Sequence, residues 1–215
     1  MKRQSYFITG TDTGVGKTVV SSLLTLGLEA NYWKPMQCGT EGPPGAATDT
    51  ECVARWTGLP RQRFLPEAYR FALPASPHLA AAREHQAIRL RRLRLPPSAR
   101  PLIVEGAGGI LVPLNRRTLM VDLMAQLGMP VVVVARARLG TINHTLMSLE
   151  ALRARHLAIA GVVINDPPGE AEGEGVAANV AAIRRYGQVR ILAVLPLLAA
   201  LTPRRLRAAW RSFTP

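Results

Sequence analysis

Residues 6–18 read Tyr-Phe-Ile-Thr-Gly-Thr-Asp-Thr-Gly-Val-Gly-Lys-Thr: an apolar run, a glycine-rich turn, and the start of a helical period that continues to Leu28. The closing Gly16-Lys17-Thr18 is the end of a phosphate-binding loop. In such loops, backbone N–H groups and a helix N-terminus cradle phosphate. The lysine reaches the β and γ groups, and the hydroxyl holds Mg²⁺. The strict G-x-x-x-x-G-K-[ST] spacing is missed by one residue, since Gly10 is one position early and Thr11 stands where glycine should be. Strand, loop and helix nevertheless follow in the order the mechanism needs, so the segment predicts nucleotide binding.

Outward from this loop, the same grammar repeats. Short β-branched runs at Leu102–Val104, Val131–Ala135, Ala160–Ile164 and Arg190–Leu195 alternate with stretches of helical period at Val121–Leu127, Ile142–Arg155 and Val176–Tyr186. Runs of continuous hydrophobicity belong to strands buried on both faces. The expectation is therefore an α/β fold: a doubly wound, mostly parallel sheet with helices on both faces, built like a P-loop NTPase. One domain is expected over residues 1–215, interrupted by a proline-rich region at about 42–97, read as loops and short helices across one end of the sheet. Each polar or glycine-rich motif starts where an apolar run stops, and open parallel sheets bind ligands outside the carboxyl ends of their strands. The motifs should converge on one site.

Composition narrows the function classes. The 215 residues are 48% hydrophobic and 19% charged, which excludes a predominantly disordered chain. Two cysteines, Cys38 and Cys52, provide neither a disulfide framework nor a zinc pattern. No secretory signal is visible, and the longest apolar run, Ile191–Leu201, is too short for a membrane span and contains Pro196. A soluble protein of a reducing compartment, with no membrane partner, is expected. The 27 basic against 14 acidic residues give a net charge of +13, which invites a nucleic-acid reading. Only three of the 27 are lysines, however, so the excess reads as a broad arginine bias, and no nucleic-acid partner is expected. The stretch Arg89–Arg94 reads as the solvated face of an amphipathic element, without interleaved aromatics for base stacking. In so arginine-biased a chain, Lys17 and Lys34 stand out, because a compact ammonium offers what guanidinium does not.

Lys34 lies 17 residues after Lys17, in Trp-Lys-Pro-Met-Gln-Cys-Gly. Its bland reading is a surface lysine before a turn; its functional one is a second cation stabilising charge on a transferring phosphoryl group. Asp49, in Thr-Asp-Thr, reads either as a turn or cap residue or as a metal ligand. Glu105 directly follows the run Leu102–Val104, where phosphoryl-transfer sites place a carboxylate for Mg²⁺, and glycines at 106, 108 and 109 let the backbone approach a ligand. Thr18, Asp49 and Glu105 together supply the hard oxygens Mg²⁺ prefers. His78 and His144 read as packed residues, and no catalytic triad is apparent.

Taken in order, GTDTGVGKT, KPMQCG, a lone TD, PASPH, VEGAGG, RLGTINH and ND resemble the dethiobiotin synthetase family over about residues 5–197. The resemblance implies an ATP- and Mg²⁺-dependent, cytoplasmic, homodimeric enzyme of biotin biosynthesis that closes the ureido ring of dethiobiotin from 7,8-diaminononanoate and CO2. It makes Lys34 and Lys17 the catalytic lysines. Gly14, Val15, Gly16, Lys17, Thr18 and Val19 become the phosphate cradle, and Thr18, Asp49 and Glu105 the metal ligands. Gly106, Ala107 and Gly108 line the nucleotide, while Asn165, Asp166, Pro196 and Leu197 take the adenine. Thr13, Lys34, Cys38, Gly140, Thr141 and Ile142 are implied for the substrate.

Three departures qualify this. Cys38 replaces the usual Ser or Thr, and a thiol donates weakly. The segment Val19–Trp33, first helix and second strand, is short. The tail from Ala199 is short and basic, so nucleotide contacts there do not carry over. Two alternatives stay in view: an ATP-dependent amide-forming ligase, and a nucleotide-switch ATPase that binds DNA or a membrane surface.

Overall fold

The chain is described by a computed structural model over residues 4–41, 47–165 and 173–213. Its first unit is β1 (Tyr6–Gly10), α1 (Lys17–Gly27) and β2 (Asn31–Trp33). There follow β3 (Met36–Cys38), α2 (Asp49–Thr57), β4 (Phe64–Leu65), β5 (Tyr69–Phe71) and α3 (Pro77–Arg83). The second half alternates β6 (Leu102–Gly109), α4 (Met120–Leu127), β7 (Val131–Arg136), α5 (Thr141–Arg153), β8 (Ile159–Asn165), α6 (Gly173–Gly187) and β9 (Ile191–Leu195), closing with α7 (Pro203–Trp210).

Seven strands form one parallel sheet in the order β4-β2-β6-β1-β7-β8-β9. From β1 the chain winds first one way, through α1 to β2, and later the other, through β7 to β9. The phosphate loop thus leaves β1 between two sets of strands, the switch point at which open α/β sheets bind ligands.

Alternation within the buried strands explains the two covered faces. Tyr6, Ile8, Val132 and Val134 pack with Leu23, Leu24 and Leu206 of α1 and α7. Phe7, Val131, Val133 and Ala135 face the other way, toward Leu123 of α4, Leu149 of α5 and Ile183 of α6. Each fully buried Val, Leu, Ile or Phe contributes ~1.5–3 kcal/mol, so the pattern Val131–Val134 ties both layers to one strand.

Two expectations need correction. Glu105 does not begin a loop: β6 continues through the glycines to Gly109, and its register against β1 slips between Ile8↔Glu105 and Gly10↔Gly109. The proline-rich region holds more than loops and short helices. Within its described part, β4 extends the main sheet at the edge of β2, and β5 pairs with β3 in a separate two-stranded parallel sheet. Beyond these, the short basic tail from Ala199 carries α7. Leu206 is fully buried, and Trp210, stacked on Phe213 at 5.0 Å, lies where Gly27 of α1 leaves room for it. Arg89–Arg94 behaves as expected: Ile88 and Leu93 are buried, and the arginines lie at the surface around a short 3-10 turn.

Candidate functional site

The phosphate loop is shaped by two glycines. Gly14 and Gly16 have φ of 71° and 96°, the left-handed region that a Cβ disfavours. Both are also hemmed in: a Cβ on Gly16 would lie 2.2 Å from Asn165 Nδ2, and one on Gly14 would lie 2.9 Å from Arg136 Nη2. Arg136, the last residue of β7, donates from Nε and Nη2 to the Gly14 carbonyl at 3.1 and 2.5 Å. Asn165, the last residue of β8, donates from Nδ2 to the Val15 carbonyl at 3.1 Å. Apart from those of Thr11 and Thr13, which donate to the Val134 carbonyl and to Asp12 Oδ1, the backbone N–H groups of the loop suit an anion. Lys17 curls over the loop and donates to the Asp12 carbonyl at 2.8 Å. Burial, and then the neighbouring Lys34, lowers its pKa to about 8.

Across the loop mouth lies a cluster of charges. Lys34, just past β2, is 4% exposed and sits 2.7 Å from Asp49 Oδ2 and 3.0 Å from Glu105 Oε1. It also donates to the Gly106 carbonyl at 3.0 Å. Burial by itself would lower the lysine pKa, but Glu105 and Asp49 outweigh it and hold the ammonium above its ordinary range. Burial likewise disfavours ionised Asp49, yet Lys34 keeps its pKa below the ordinary value. Thr18 Oγ1 bridges the two carboxylates, 3.1 Å from Asp49 Oδ1 and 3.0 Å from Glu105 Oε1.

Local structure accounts for this convergence. Thr48 caps α2 through a capping box with Glu51, which makes Asp49 the first helical residue. The Asp49 backbone N–H is further held by Gln37 Oε1 at 3.2 Å. Asp49 is thus neither the cap nor a turn residue, and its side chain is free to enter the site. Glu105 reaches it from mid-strand, opposite Ile8 of β1. Its other oxygen, Oε2, accepts from the Tyr32 hydroxyl at 3.0 Å. Burial, and next the charge of Glu105, push the Tyr32 phenol well above its ordinary pKa, so it stays a donor.

Thr18, Asp49 and Glu105 present one hydroxyl and two carboxylates. Among the described residues no group of three or more Asp, Glu, His or Cys side chains forms a metal cage. The hydroxyl and two carboxylates are the hard oxygen donors that suit Mg²⁺, which takes one or two carboxylates and completes its shell with phosphate oxygens and water. The cleft over this cluster has a volume of about 670 Å³ and is lined by Thr13, Lys17, Lys34, Cys38, Asp49 and Ala107 among others. Burial pushes the Cys38 thiol up to about 11, against a partial pull from Lys34.

Of the expected site residues, the structure brings Thr13, Gly14, Gly16, Lys17, Thr18, Val19, Lys34, Cys38, Asp49, Glu105, Ala107 and Gly108 to this one cleft. Asn165 stands behind the loop and not among the lining residues; Leu197, past β9, is half exposed. Asp166 falls outside the described residues. Gly140, Thr141 and Ile142 open α5 and do not line the cleft. Further along α5, His144 and Met147 face Thr11–Thr13 and Gly109–Pro113 across a second groove of about 380 Å³. Sequence reasoning missed Tyr32, Gln37 and Arg136. No helix among the described residues is long and apolar enough to cross a membrane.

A family model described as an AAA domain matches residues 4–205. The ATP-dependent dethiobiotin synthetase BioD of Rhodopseudomonas palustris is 49% identical over 203 residues, covering 94% of this chain and 90% of that protein. BioD of Agrobacterium fabrum is 48% identical over 206 residues, covering 95% and 92%. The biotin biosynthesis bifunctional protein BioCD of Bordetella avium is 48% identical over 92% of this chain, which spans 40% of that longer protein. Among solved structures, a Cyanothece McdA–ATP complex aligns with a TM-score of 0.55 at 17% identity, over 96% of this chain and 86% of that one. A ParA family ATPase from Chlorobium tepidum aligns at 0.53 and 9% identity, over 98% and 90%. These two likenesses concern the fold alone. With near-half identity over almost the full length of both partners, the chain belongs to the ATP-dependent dethiobiotin synthetase family.

Proposed function

We propose that the chain is a dethiobiotin synthetase, a ligase that uses ATP to close a cyclic urea from 7,8-diaminononanoate and CO2. The observation that carries this reading is the meeting of Lys34, Thr18, Asp49 and Glu105 at the mouth of the phosphate loop. A phosphate loop alone serves many chemistries; a second buried lysine at its mouth suits phosphoryl transfer from one anion to another, where it offsets negative charge.

In this mechanism one substrate amine adds to CO2 and loses a proton, giving a carbamate. A carbamate oxygen attacks the γ-phosphorus of ATP and ADP departs. The second amine then attacks the carbonyl carbon of the mixed anhydride, phosphate leaves, the amine gives up a proton, and the five-membered ring closes. Both amines belong to one molecule, so closure gains the advantage of an intramolecular reaction. Lys17 and Lys34 stabilise the negative charge on the carbamate and on the phosphoryl group in transfer. Thr18, Asp49 and Glu105 would hold Mg²⁺, whose contribution when bound is to neutralise phosphate charge. Gly14–Val19 cradle the phosphates, with Gly106, Ala107 and Gly108 alongside. Asn165, Asp166, Pro196 and Leu197 take the adenine.

The substrate lies against Thr13, Lys34 and Cys38, with its carboxylate directed to the start of α5 at Gly140, Thr141 and Ile142. Because these residues do not line the cleft of their own chain, this arrangement goes with a homodimer. Leu111 and Met147, each 56% exposed beside the second groove, support a second copy of the chain covering that face. We read residues 1–215 as one domain acting in the cytoplasm on small molecules, with neither nucleic acid nor membrane as partner. The alternative of a nucleotide-switch ATPase has only fold likeness behind it, and an amide-forming ligase has no separate support.

The test is ATP-dependent fixation of labelled CO2 into 7,8-diaminononanoate with Mg²⁺, following acid-stable product and phosphate together. One phosphate released per product supports the synthetase. ATP hydrolysis without labelled product overturns it in favour of the switch.

A further inference from the structure

Tyr32 is a polar side chain in an apolar place. It lies on β2, fully buried, one strand away from Glu105, with Tyr32↔Ile103 and Trp33↔Val104 paired in register. Its ring packs among Leu23, Leu24 and Val53 and meets Phe64 of β4 at 6.3 Å, tilted by 59°. Phenylalanine would fill this space, and a buried hydroxyl costs free energy unless it finds a partner. Here the partner is Glu105 Oε2, at 3.0 Å. Thr18 and Lys34 both address the other oxygen, Oε1. Glu105 is 1% exposed, so bulk water does not solvate the two oxygens and protein donors tell them apart.

We propose that Tyr32 is a positioning residue for Glu105: its hydroxyl fixes the carboxylate so that Oε1 is the oxygen offered beside Thr18. The proposal rests on the reading of Thr18, Asp49 and Glu105 as the Mg²⁺ ligands. A carboxylate with one oxygen anchored in the core cannot rotate to satisfy Oε2 from Thr18 or Lys34. Its ligating oxygen therefore stays in place whether or not nucleotide is bound. Removing the hydroxyl leaves Oε2 buried without this donor, and the carboxylate turns toward the donors of Oε1, spoiling the ligand set. Outer-shell partners of this type affect metal affinity about 10-fold to 100-fold.

The experiment compares wild type, Tyr32→Phe and Glu105→Gln as full-length protein. Mn²⁺ binding in the presence of a non-hydrolysable ATP analogue is read by electron paramagnetic resonance, beside the Mg²⁺ midpoint of CO2 fixation and the melting temperature. Tyr32→Phe is expected to weaken Mn²⁺ binding about 10-fold and raise the Mg²⁺ midpoint in step, with the KM for the diamine unchanged. A lowered melting temperature with Mn²⁺ binding like wild type would make the hydroxyl purely structural and overturn the proposal. Glu105→Gln without effect on Mn²⁺ would overturn the metal reading itself, and the proposal with it. Should Tyr32→Phe not fold, Phe64→Leu loosens the ring while keeping the hydroxyl. A smaller weakening in the same direction is then expected, and an unchanged affinity counts against Tyr32.

Discussion

The strands on either side of β1 treat the same loop in opposite ways. On the β2–β6 side the sheet delivers full charges: Lys34 from just past β2, Glu105 from inside β6, and Asp49 from the helix beyond them, with both carboxylates within 3.0 Å of the lysine Nζ. On the β7–β8 side it delivers donors to main-chain carbonyls, Arg136 to Gly14 and Asn165 to Val15. The first side meets the phosphate charge; the second sets the shape of the loop that presents it. The two should therefore fail differently. Groups that act on charge developing in the transition state govern turnover, whereas groups that shape the binding loop act on ground and transition states alike and appear in KM.

The largest effect is expected on the charged side. Lys34→Gln and Lys17→Gln should each lower kcat at least ~100-fold, the scale of removing one charge-stabilising donor. Lys34→Gln should also lower stability, because it strips a buried cation from Asp49 and Glu105, a loss on the order of 3–5 kcal/mol for a buried pair. Turnover and melting temperature, measured on the same preparation, separate the two consequences. A Lys34→Gln enzyme with wild-type turnover would remove Lys34 from the mechanism and dissolve the contrast between the two sides.

The next effect probes the other side. Arg136→Met deletes two charge-assisted bonds to the Gly14 carbonyl but leaves the strand apolar and continuous. The KM for ATP should rise about 10-fold, consistent with ~1.5 kcal/mol for a hydrogen bond to a charged group, while kcat changes little. Steady-state kinetics with ATP varied at saturating diamine decide it. A fall in kcat equal to that of Lys34→Gln would show that Arg136 acts on the transition state, and the division of labour between the two sides would collapse.

The same contrast explains what the sequence made legible. β1, its loop and α1 were readable because strand, glycines and lysine obey one local rule. Val131–Ala135 and Ile191–Leu195 were readable as continuous β-branched runs. Lys34 stood out because lysine is rare here. The same bias hid Arg136: among so many arginines, no single one signals a role. Glu105 was recognised, but its place inside β6 was not, since a strand through Gly106, Gly108 and Gly109 has no hydrophobic pattern and depends on its pairing with β1. β3, β4 and β5 are two or three residues long, too short for any period, and exist only through their partners. Tyr32 was invisible for a further reason. Its sequence position predicts a buried strand residue, which it is, but only the tertiary fold brings its hydroxyl to Glu105.

The smallest effect concerns Cys38, whose thiol lines the cleft. Its thiol is half buried in the cleft wall with a pKa raised to about 11, so at pH 8 only about one thiol in 1,000 is ionised. The thiolate is the reactive form, so alkylation of Cys38 by iodoacetamide at that pH should be slow, and activity should survive brief treatment. As pH rises toward 11 the thiolate fraction grows, and inactivation should accelerate about 10-fold per pH unit over pH 8–10. Held neutral, the sulfur can only donate weakly to a substrate, whereas a hydroxyl donates and accepts well. Cys38→Ser should thus leave kcat unchanged and lower the KM for the diamine by up to about threefold, the scale of one modest hydrogen bond. Diamine kinetics on the variant, with peptide mapping of the alkylated wild type, test both halves. A large loss of kcat in Cys38→Ser would mean that the thiol does more than line the wall, and that the charged side of the site includes the end of β3.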